Sequence, residues 1–479
     1  MSLYEGRLFI NGELKTAKSG ETFPLHSPVD GRLLANVSRA AQEDVDAAVE
    51  AAEKAQPAWA ATPAKERARK LRKFADLIER NKAKLANLDT VAMGKPLTGA
   101  LADVDEARDF TYFMAGLTES GVGQTSLNSP EHVNITLREP FGVVASIIPW
   151  NFPTNIWTHD VCPAIGAGNA MILKGSEKAP LSSIFLGQLC HEAGFPPGIV
   201  QIVNGAGDTG ALLSSHMRIR KISFTGSTNA GKSIMSAAAK SNIKDVSLEL
   251  GGKSPLVVFA DADLEHAARL AAFSFTFNSG QVCTASTRLY IEKSAADEFK
   301  KLLIHAVKKF NLGDPSNKDT DLGPQVDKVQ SQKVRKFLDI GRKDGKALIG
   351  GEAATNVGPN YINPTVFTDL GDDSDVSRLE IFGPVLALHE FDGEQDAITK
   401  ANDTNYGLYA TVFSNNVARA LRVARALQAG TVGVNVASPY GAYELPFGGY
   451  KASGIGRQKG NKAVEHWTQE KTVYLQHEW

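Results

Sequence analysis

From residue 41 to 117 the apolar positions recur at three- and four-residue spacing. Val45, Ala48, Val49 and Ala52 form one stripe, and Leu71, Phe74, Ala75, Leu77 and Ile78 a second. This is the signature of amphipathic helices with one face on a core. At Phe141 the pattern changes. Short apolar runs at 143–148, 170–173, 199–203 and 221–224 alternate with helix-like stretches such as 182–193. Strand and helix alternating at this interval predict a doubly wound parallel sheet that binds ligands at its strand carboxyl ends. The alternation resumes at 256–259. It continues through helices near 262–278 and 294–310 to strands near 385–391 and 431–436, so a second α/β block begins near Leu250-Gly251-Gly252. Segments 125–138 and 471–476 read as isolated strands outside both blocks. They are either edge strands within one protomer or an oligomer contact.

Composition narrows the class. At about 150 residues per domain, 479 residues make about three domains. With 52 basic against 53 acidic residues the net charge is −1, which removes the electrostatic case for a nucleic-acid or polybasic membrane partner. The longest apolar stretch, 141–149, is about half a membrane span, and the N-terminal residues carry neither an apolar signal core nor an Arg-rich transit pattern. Three unpaired-looking cysteines, Cys162, Cys190 and Cys283, argue for a reducing, cytoplasmic setting rather than a disulfide framework. No histidines cluster at metal-ligand spacing, and a zinc-protease helix after His191 would need a second His where Phe195 stands. No metal is therefore expected.

Gly226-Ser227-Thr228-Asn229-Ala230-Gly231-Lys232-Ser233 follows a strand and opens a helix. Three readings fit. It is the phosphate loop of a P-loop NTPase, with the apolar run 256–259 leading to a magnesium-binding Asp261. It is a dinucleotide pyrophosphate site needing no magnesium, or it is a bare glycine turn.

Elsewhere, residue types suited to covalent chemistry gather. Cys283 follows Asn278-Ser279-Gly280-Gln281-Val282, just after an expected helix; an isolated cysteine is more often inert core. Glu249 stands in an apolar run before paired glycines, where loss of water would raise its pKa into the range of a general base. Asn151, between Pro149-Trp150 and Phe152-Pro153, offers a rigid amide donor for an oxyanion.

Taken together these segments resemble the NAD(P)-dependent aldehyde dehydrogenase superfamily over nearly the whole chain. The motifs that carry the resemblance are Leu248-Glu249-Leu250-Gly251-Gly252-Lys253, Gly280-Gln281-Val282-Cys283, Pro149-Trp150-Asn151-Phe152-Pro153, Phe224-Thr225-Gly226-Ser227-Thr228, Glu380-Ile381-Phe382-Gly383-Pro384 and Pro446-Phe447-Gly448-Gly449-Tyr450-Lys451. The resemblance implies two Rossmann-like α/β domains and a small β element for oligomerisation. Residues 1–124 and 141–249 would bind the cofactor, 250–450 would hold the catalytic residues, and 125–140 with 460–479 would join subunits into a homodimer or homotetramer. It implies Cys283 as nucleophile, Asn151 as oxyanion donor and Glu249 as the base that releases a free acid; relatives that pass the acyl group to coenzyme A can lack that base.

By the same resemblance Trp150, Lys174, Glu177, Gly207, Phe224, Gly226, Ser227, Leu250, Gly251, Glu380 and Phe382 form the cofactor surface. Lys174-Gly175-Ser176-Glu177 departs from the commoner form with Pro after Lys. A Glu177 carboxylate at the adenosine ribose favours NAD, because a 2′-phosphate would meet like charge there, and NADP stays possible. Phe152, Phe277 and Phe447 either line an apolar path for an aliphatic or aromatic aldehyde or pack the core. His159 stands where relatives that oxidise acidic semialdehydes tend to carry Arg. The expectation therefore leans away from a semialdehyde dehydrogenase, the alternative within the family.

Overall fold

The computed structural model describes residues 3–476. Residues 1–2 and 477–479, the outer ends of two of the expected segments, lie outside it. The long helical region resolves into Gln42–Ala60, Ala64–Arg80, Lys82–Met93 and Leu97–Thr118. In the second of these the buried positions are Ala68, Leu71, Phe74, Ala75, Leu77 and Ile78, so the stripe read from the sequence is the face that packs.

Two sheets organise the chain. In the first, five parallel strands run in the spatial order Val200–Val203, Ala170–Lys174, Val143–Ile147, Lys221–Thr225, Asp245–Glu249. The chain starts in the middle, winds outward one way, then returns and winds the other way. The switch point therefore lies between Val143–Ile147 and Lys221–Thr225. The second sheet repeats this plan, with Ser254–Val258 in the middle, Ser286–Glu292 and Val385–Phe391 to one side, and Tyr409–Phe413 and Thr431–Val434 to the other. Helices cover both faces, which is why the central strands are buried at every position and read as unbroken apolar runs.

Two features were not legible from periodicity. A two-residue strand, Gly454–Ile455, returns from beyond the second sheet and pairs antiparallel with Leu248 and Glu249, closing the edge of the first sheet. The strands expected to be isolated are not. Thr468–Gln476 pairs along its whole length with His132–Pro140, and Thr125–Ser126 adds a short third strand. They lie outside both larger sheets, as expected, but their pairing with each other went unread because strand partners far apart in sequence leave no local signal. Among the described residues no helix is long and apolar enough to cross a membrane, and no cluster of His, Cys, Asp or Glu could hold a metal.

Phe74 packs its fully buried ring 5.5 Å from that of Trp157, on the helix that follows the first central strand. Phe74→Ala is expected to cost about 3–5 kcal/mol through lost burial and the cavity it leaves, seen as a lowered urea midpoint. Val329→Ala, at a position 70% exposed, should leave the midpoint unchanged. Equal midpoints for the two variants would contradict this packing.

Candidate active site

At the switch point of the first sheet the strand ends diverge and leave a cleft of about 510 Å³. Trp150, Lys174, Glu177, Gly207, Phe224, Gly226 and Ser227 all line it. Ser227 is the N-cap of the helix Thr228–Lys240, and its hydroxyl oxygen accepts a hydrogen bond from the Ala230 N–H at 3.4 Å. The hydroxyl hydrogen is left to donate into the cleft, beside the helix N-terminal amides that favour anions. Lys174 is buried on the cleft wall, and burial lowers its pKa while Glu177 and Asp208 oppose that shift. Thr225 lines the same wall, and its Oγ1 is buried without a hydrogen-bond partner. An orphaned donor, a free capping hydroxyl and helix amides together fit a polyhydroxylated, phosphate-bearing cofactor.

The magnesium NTPase reading does not survive the topology. Asp261 follows a strand of the second sheet, not a neighbour of Lys221–Thr225, and its carboxylate is taken by Ser414, Asn416 and Arg419. Lys232 points to solvent. A phosphate-binding lysine and a metal carboxylate must converge on one nucleotide, and here they sit on different sheets.

The other residues expected at the cofactor lie outside the lining of this cleft. Phe382 meets Trp150 edge-on at 5.4 Å between ring centroids. Glu380 accepts the Gly252 N–H at 3.0 Å, and its carboxylate lies so close to Gly251 that an added Cβ would stand 2.5 Å from it. Leu250 packs instead against Gly231 of the cleft helix. Gly252 in turn runs along Cys283, where a Cβ would lie 2.3 Å from the Cys283 carbonyl oxygen.

The loop carrying Cys283 is held from several sides. After the helix Leu264–Thr276, Asn278, Ser279 and Gly280 all take positive φ. At Gly280 this conformation and the approach of Gly383 leave no room for a side chain: a Cβ would sit 2.2 Å from the Gly383 carbonyl carbon. The Ser279 hydroxyl donates to Gly323 O at 2.8 Å, and the Val326 N–H donates to Gln281 Oε1 at 2.9 Å. Asn151 donates one amide hydrogen to Gln281 O at 3.0 Å, which leaves its second for another acceptor.

The three cysteines differ sharply. Cys162 and Cys190 are buried core residues, and burial pushes the Cys162 thiol up to about 12 despite its contact with Thr111. Cys283 keeps part of its surface open. Its pKa is also pushed up to about 12, by burial first and then by the carboxylates of Glu380 and Glu249. Glu249, 4% exposed at the end of its strand, is held well above the ordinary carboxyl range by burial, with Arg457 opposing and Asp160 adding to the shift. Its Oε2 has no partner, and Gly448 walls its Oε1 so closely that a Cβ would lie 2.7 Å away.

Phe152 and Phe277 stack at 6.2 Å, and the Lys95 ammonium sits 3.6 Å over the Phe152 ring, so these two rings are held together beside the motifs. Phe447 borders Gly448 in a small hairpin with Gln458. His159 stands apart: it is buried against Phe110 and 3.8 Å from Glu106, and burial together with Lys459 drives its pKa well below the usual value. Sequence reading missed Thr225, Gly448, Arg457 and Lys459. Thr225 and Gly448, each inside a quoted motif, carried a signal; Arg457 and Lys459 carried none.

In nucleotide-free protein, iodoacetamide labelling of Cys283 is expected to climb about tenfold per pH unit from pH 7 to 10, following the thiolate fraction, while Cys162 and Cys190 stay unlabelled. A plateau by pH 9 would show that the surrounding carboxylates do not keep the thiol protonated.

Comparisons place this site in a known family. The sequence matches the Aldehyde dehydrogenase family over residues 15–473. It is 42% identical over 470 residues to an aldehyde dehydrogenase of Emericella nidulans, covering 98% of this chain and 94% of the other. The aldehyde dehydrogenase KauB from Pseudomonas aeruginosa superposes with a TM-score of 0.97 at 40% identity, over 99% of this chain and 97% of that one. An indole-3-acetaldehyde dehydrogenase solved with NAD+ gives the same score, identity and coverage. With its switch-point cleft, its partly open thiol and its buried carboxyl, this chain belongs to the aldehyde dehydrogenase family.

Proposed function

We propose that this enzyme oxidises an aliphatic or aromatic aldehyde to the free carboxylic acid with NAD, Cys283 serving as nucleophile, Asn151 as oxyanion donor and Glu249 as base. The observation that carries the reading is Glu249: a buried, raised-pKa carboxyl with one uncommitted oxygen, acting electrostatically on the one cysteine that is not core.

Cys283, partly open to solvent, gives its proton to water as sulfur bonds to the aldehyde carbon. The resulting oxyanion is met by the free Asn151 amide hydrogen and by the Cys283 backbone N–H. Nicotinamide, when bound, supplies the acceptor for the hydride that leaves this carbon, and Cys283 then carries a thioester. Glu249 takes a proton from water, the hydroxide adds to the thioester carbon, and the Cys283 thiolate leaves with release of the acid. The raised pKa of Glu249 makes it a stronger acceptor of that proton than an ordinary carboxylate.

The cleft residues support a dinucleotide cofactor, with Lys174 and Glu177 at the adenosine ribose, Ser227 at the pyrophosphate, and Glu380 and Phe382 toward the nicotinamide. Glu177 favours NAD over NADP, and the NAD+ complex of the indole-3-acetaldehyde dehydrogenase agrees with that choice. His159 is uncharged at neutral pH, and Lys459 beside it is paired with Glu106 at 3.1 Å, so no free cation there would select an acidic semialdehyde. The sheet formed by 125–140 and 468–476 is the surface we assign to a homodimer or homotetramer, and the three unpaired cysteines accord with a cytoplasmic enzyme.

Cys283→Ala is expected to abolish NADH production with every aldehyde in a panel. Glu249→Gln is expected to keep a burst of one NADH per site and lose steady-state turnover by about a hundredfold or more. Full steady-state activity in Glu249→Gln would falsify the base assignment.

A further inference from the structure

Asp160 is a buried carboxylate that the chemistry above leaves unused. It lies on the helix Pro153–Gly166, beneath the first sheet, and is fully buried. Three donors hold it: Ser146 Oγ to Oδ2 at 2.5 Å, Ser223 Oγ to Oδ1 at 3.2 Å and Gln458 Nε2 to Oδ1 at 2.9 Å. Every atom that could anchor the group is committed, so it is fixed in place.

The sheet register says where that fixed group stands. Ser223 pairs with Ser146 on one side and with Ser247 on the other, so the three serines form a row across neighbouring strands. Glu249 follows Ser247 by two residues on the same strand and therefore points to the same face. Asp160 bonds two serines of the row, one strand away from the base. Asp160, Ser223, Ser247 and Arg457 border one small cavity, and Arg457 is the cation that opposes the shift of Glu249. Gln458 provides a second connection. It sits opposite Phe447 in the hairpin, and the next residue, Gly448, is the wall of Glu249.

The charges around this pair come from every packed element. Lys221, on the strand of Ser223, faces Asp160, but its ammonium is also bound to Asp245 and to Ser247 at 3.0 Å. Arg457 donates to Gly449 O at 3.2 Å and to Gly456 O at 2.6 Å. His159, next in sequence to Asp160, is neutral, and His466 borders the same cavity with its pKa lowered by burial. Lys459, also on that cavity, is paired with Glu106. Burial raises the Asp160 pKa to about 6, so it is charged at neutral pH.

We propose that Asp160 is a positioning residue for the base: a fixed buried charge that sets the pH at which Glu249 gives up its proton, and an anchor, through Gln458, for the hairpin that walls it. This rests on the reading of Glu249 given above. A like charge held one strand away, through a partly polar interior, should displace the titration of its neighbour by roughly 0.5–1 pH unit.

The test is the deacylation rate from pH 5 to 9, measured by chasing the acyl-enzyme formed in the first turnover of the intact enzyme. Asp160→Asn keeps the size and an acceptor oxygen, and Ser146 can reverse its hydrogen bond to it. Its acid limb is expected to move to lower pH by roughly 0.5–1 unit, with the NADH burst still one per site. Ser223→Ala, a small truncation that weakens the hold on the charge, should move the limb the same way by less, and it carries the test if Asp160→Asn does not fold. Limbs that superimpose on the wild type in folded variants overturn the proposal. A uniform loss of rate at every pH overturns it too, since that is a structural effect. Full turnover by Glu249→Gln would instead sink the underlying assignment of the base.

Discussion

Around Cys283 three distant stretches of backbone approach one another more closely than any side chain would permit. Gly252 lies on the Cys283 carbonyl, Gly280 lies on Gly383, and Gly448 lies on the carboxyl of Glu249. A methyl group at any of the three would collide with backbone or with the Glu249 carboxyl. These contacts join the first sheet, the second sheet and the C-terminal hairpin at one point. The positions of the thiol, the base and the cleft follow from that junction, which also explains why the chain concentrates glycine where the reactive residues are.

The same junction sets the electrostatics. Glu249 and Glu380 are both withdrawn from water near one thiol, and each raises the cost of a negative charge on sulfur. The resting site is therefore poised against premature ionisation. Trp150 of the cleft wall meets Phe382, and Glu380 lies against Gly251, so a cofactor filling the cleft would approach the same cluster of charges. Binding there can change the field at Cys283 without any movement of the sheets. In the proposed reaction this would couple cofactor occupancy to ionisation of the Cys283 thiol.

How much of this was legible in the sequence depended on range. The amphipathic face containing Leu71 and Phe74 and the buried central strands were plain, because helix and strand periods are local. The motif residues Cys283, Glu249 and Asn151 stand where a resemblance to a family led, and the cleft gathers seven of the residues expected at the cofactor. The matched pair 132–140 and 468–476 was invisible as a pair, as was the return of Gly454–Ile455 to the first sheet, since both depend on long-range register. Asp160 carried no signal at all. A lone aspartate in an apolar helix shows its purpose only when two serines and Gln458 are seen to converge on it. His159 was placed by its distance from Asn151, but that spacing could not reveal that Lys459 and burial keep it neutral.

In the proposed reaction Cys283, alone of the three cysteines, carries the acyl group. Quenching Glu249→Gln after one turnover with an aldehyde and NAD, followed by peptide mass analysis, tests it directly. The account requires the mass of a thioester on the peptide containing Cys283 and unmodified Cys162 and Cys190. An adduct on either core cysteine, or a completed burst with no adduct on Cys283, would contradict it.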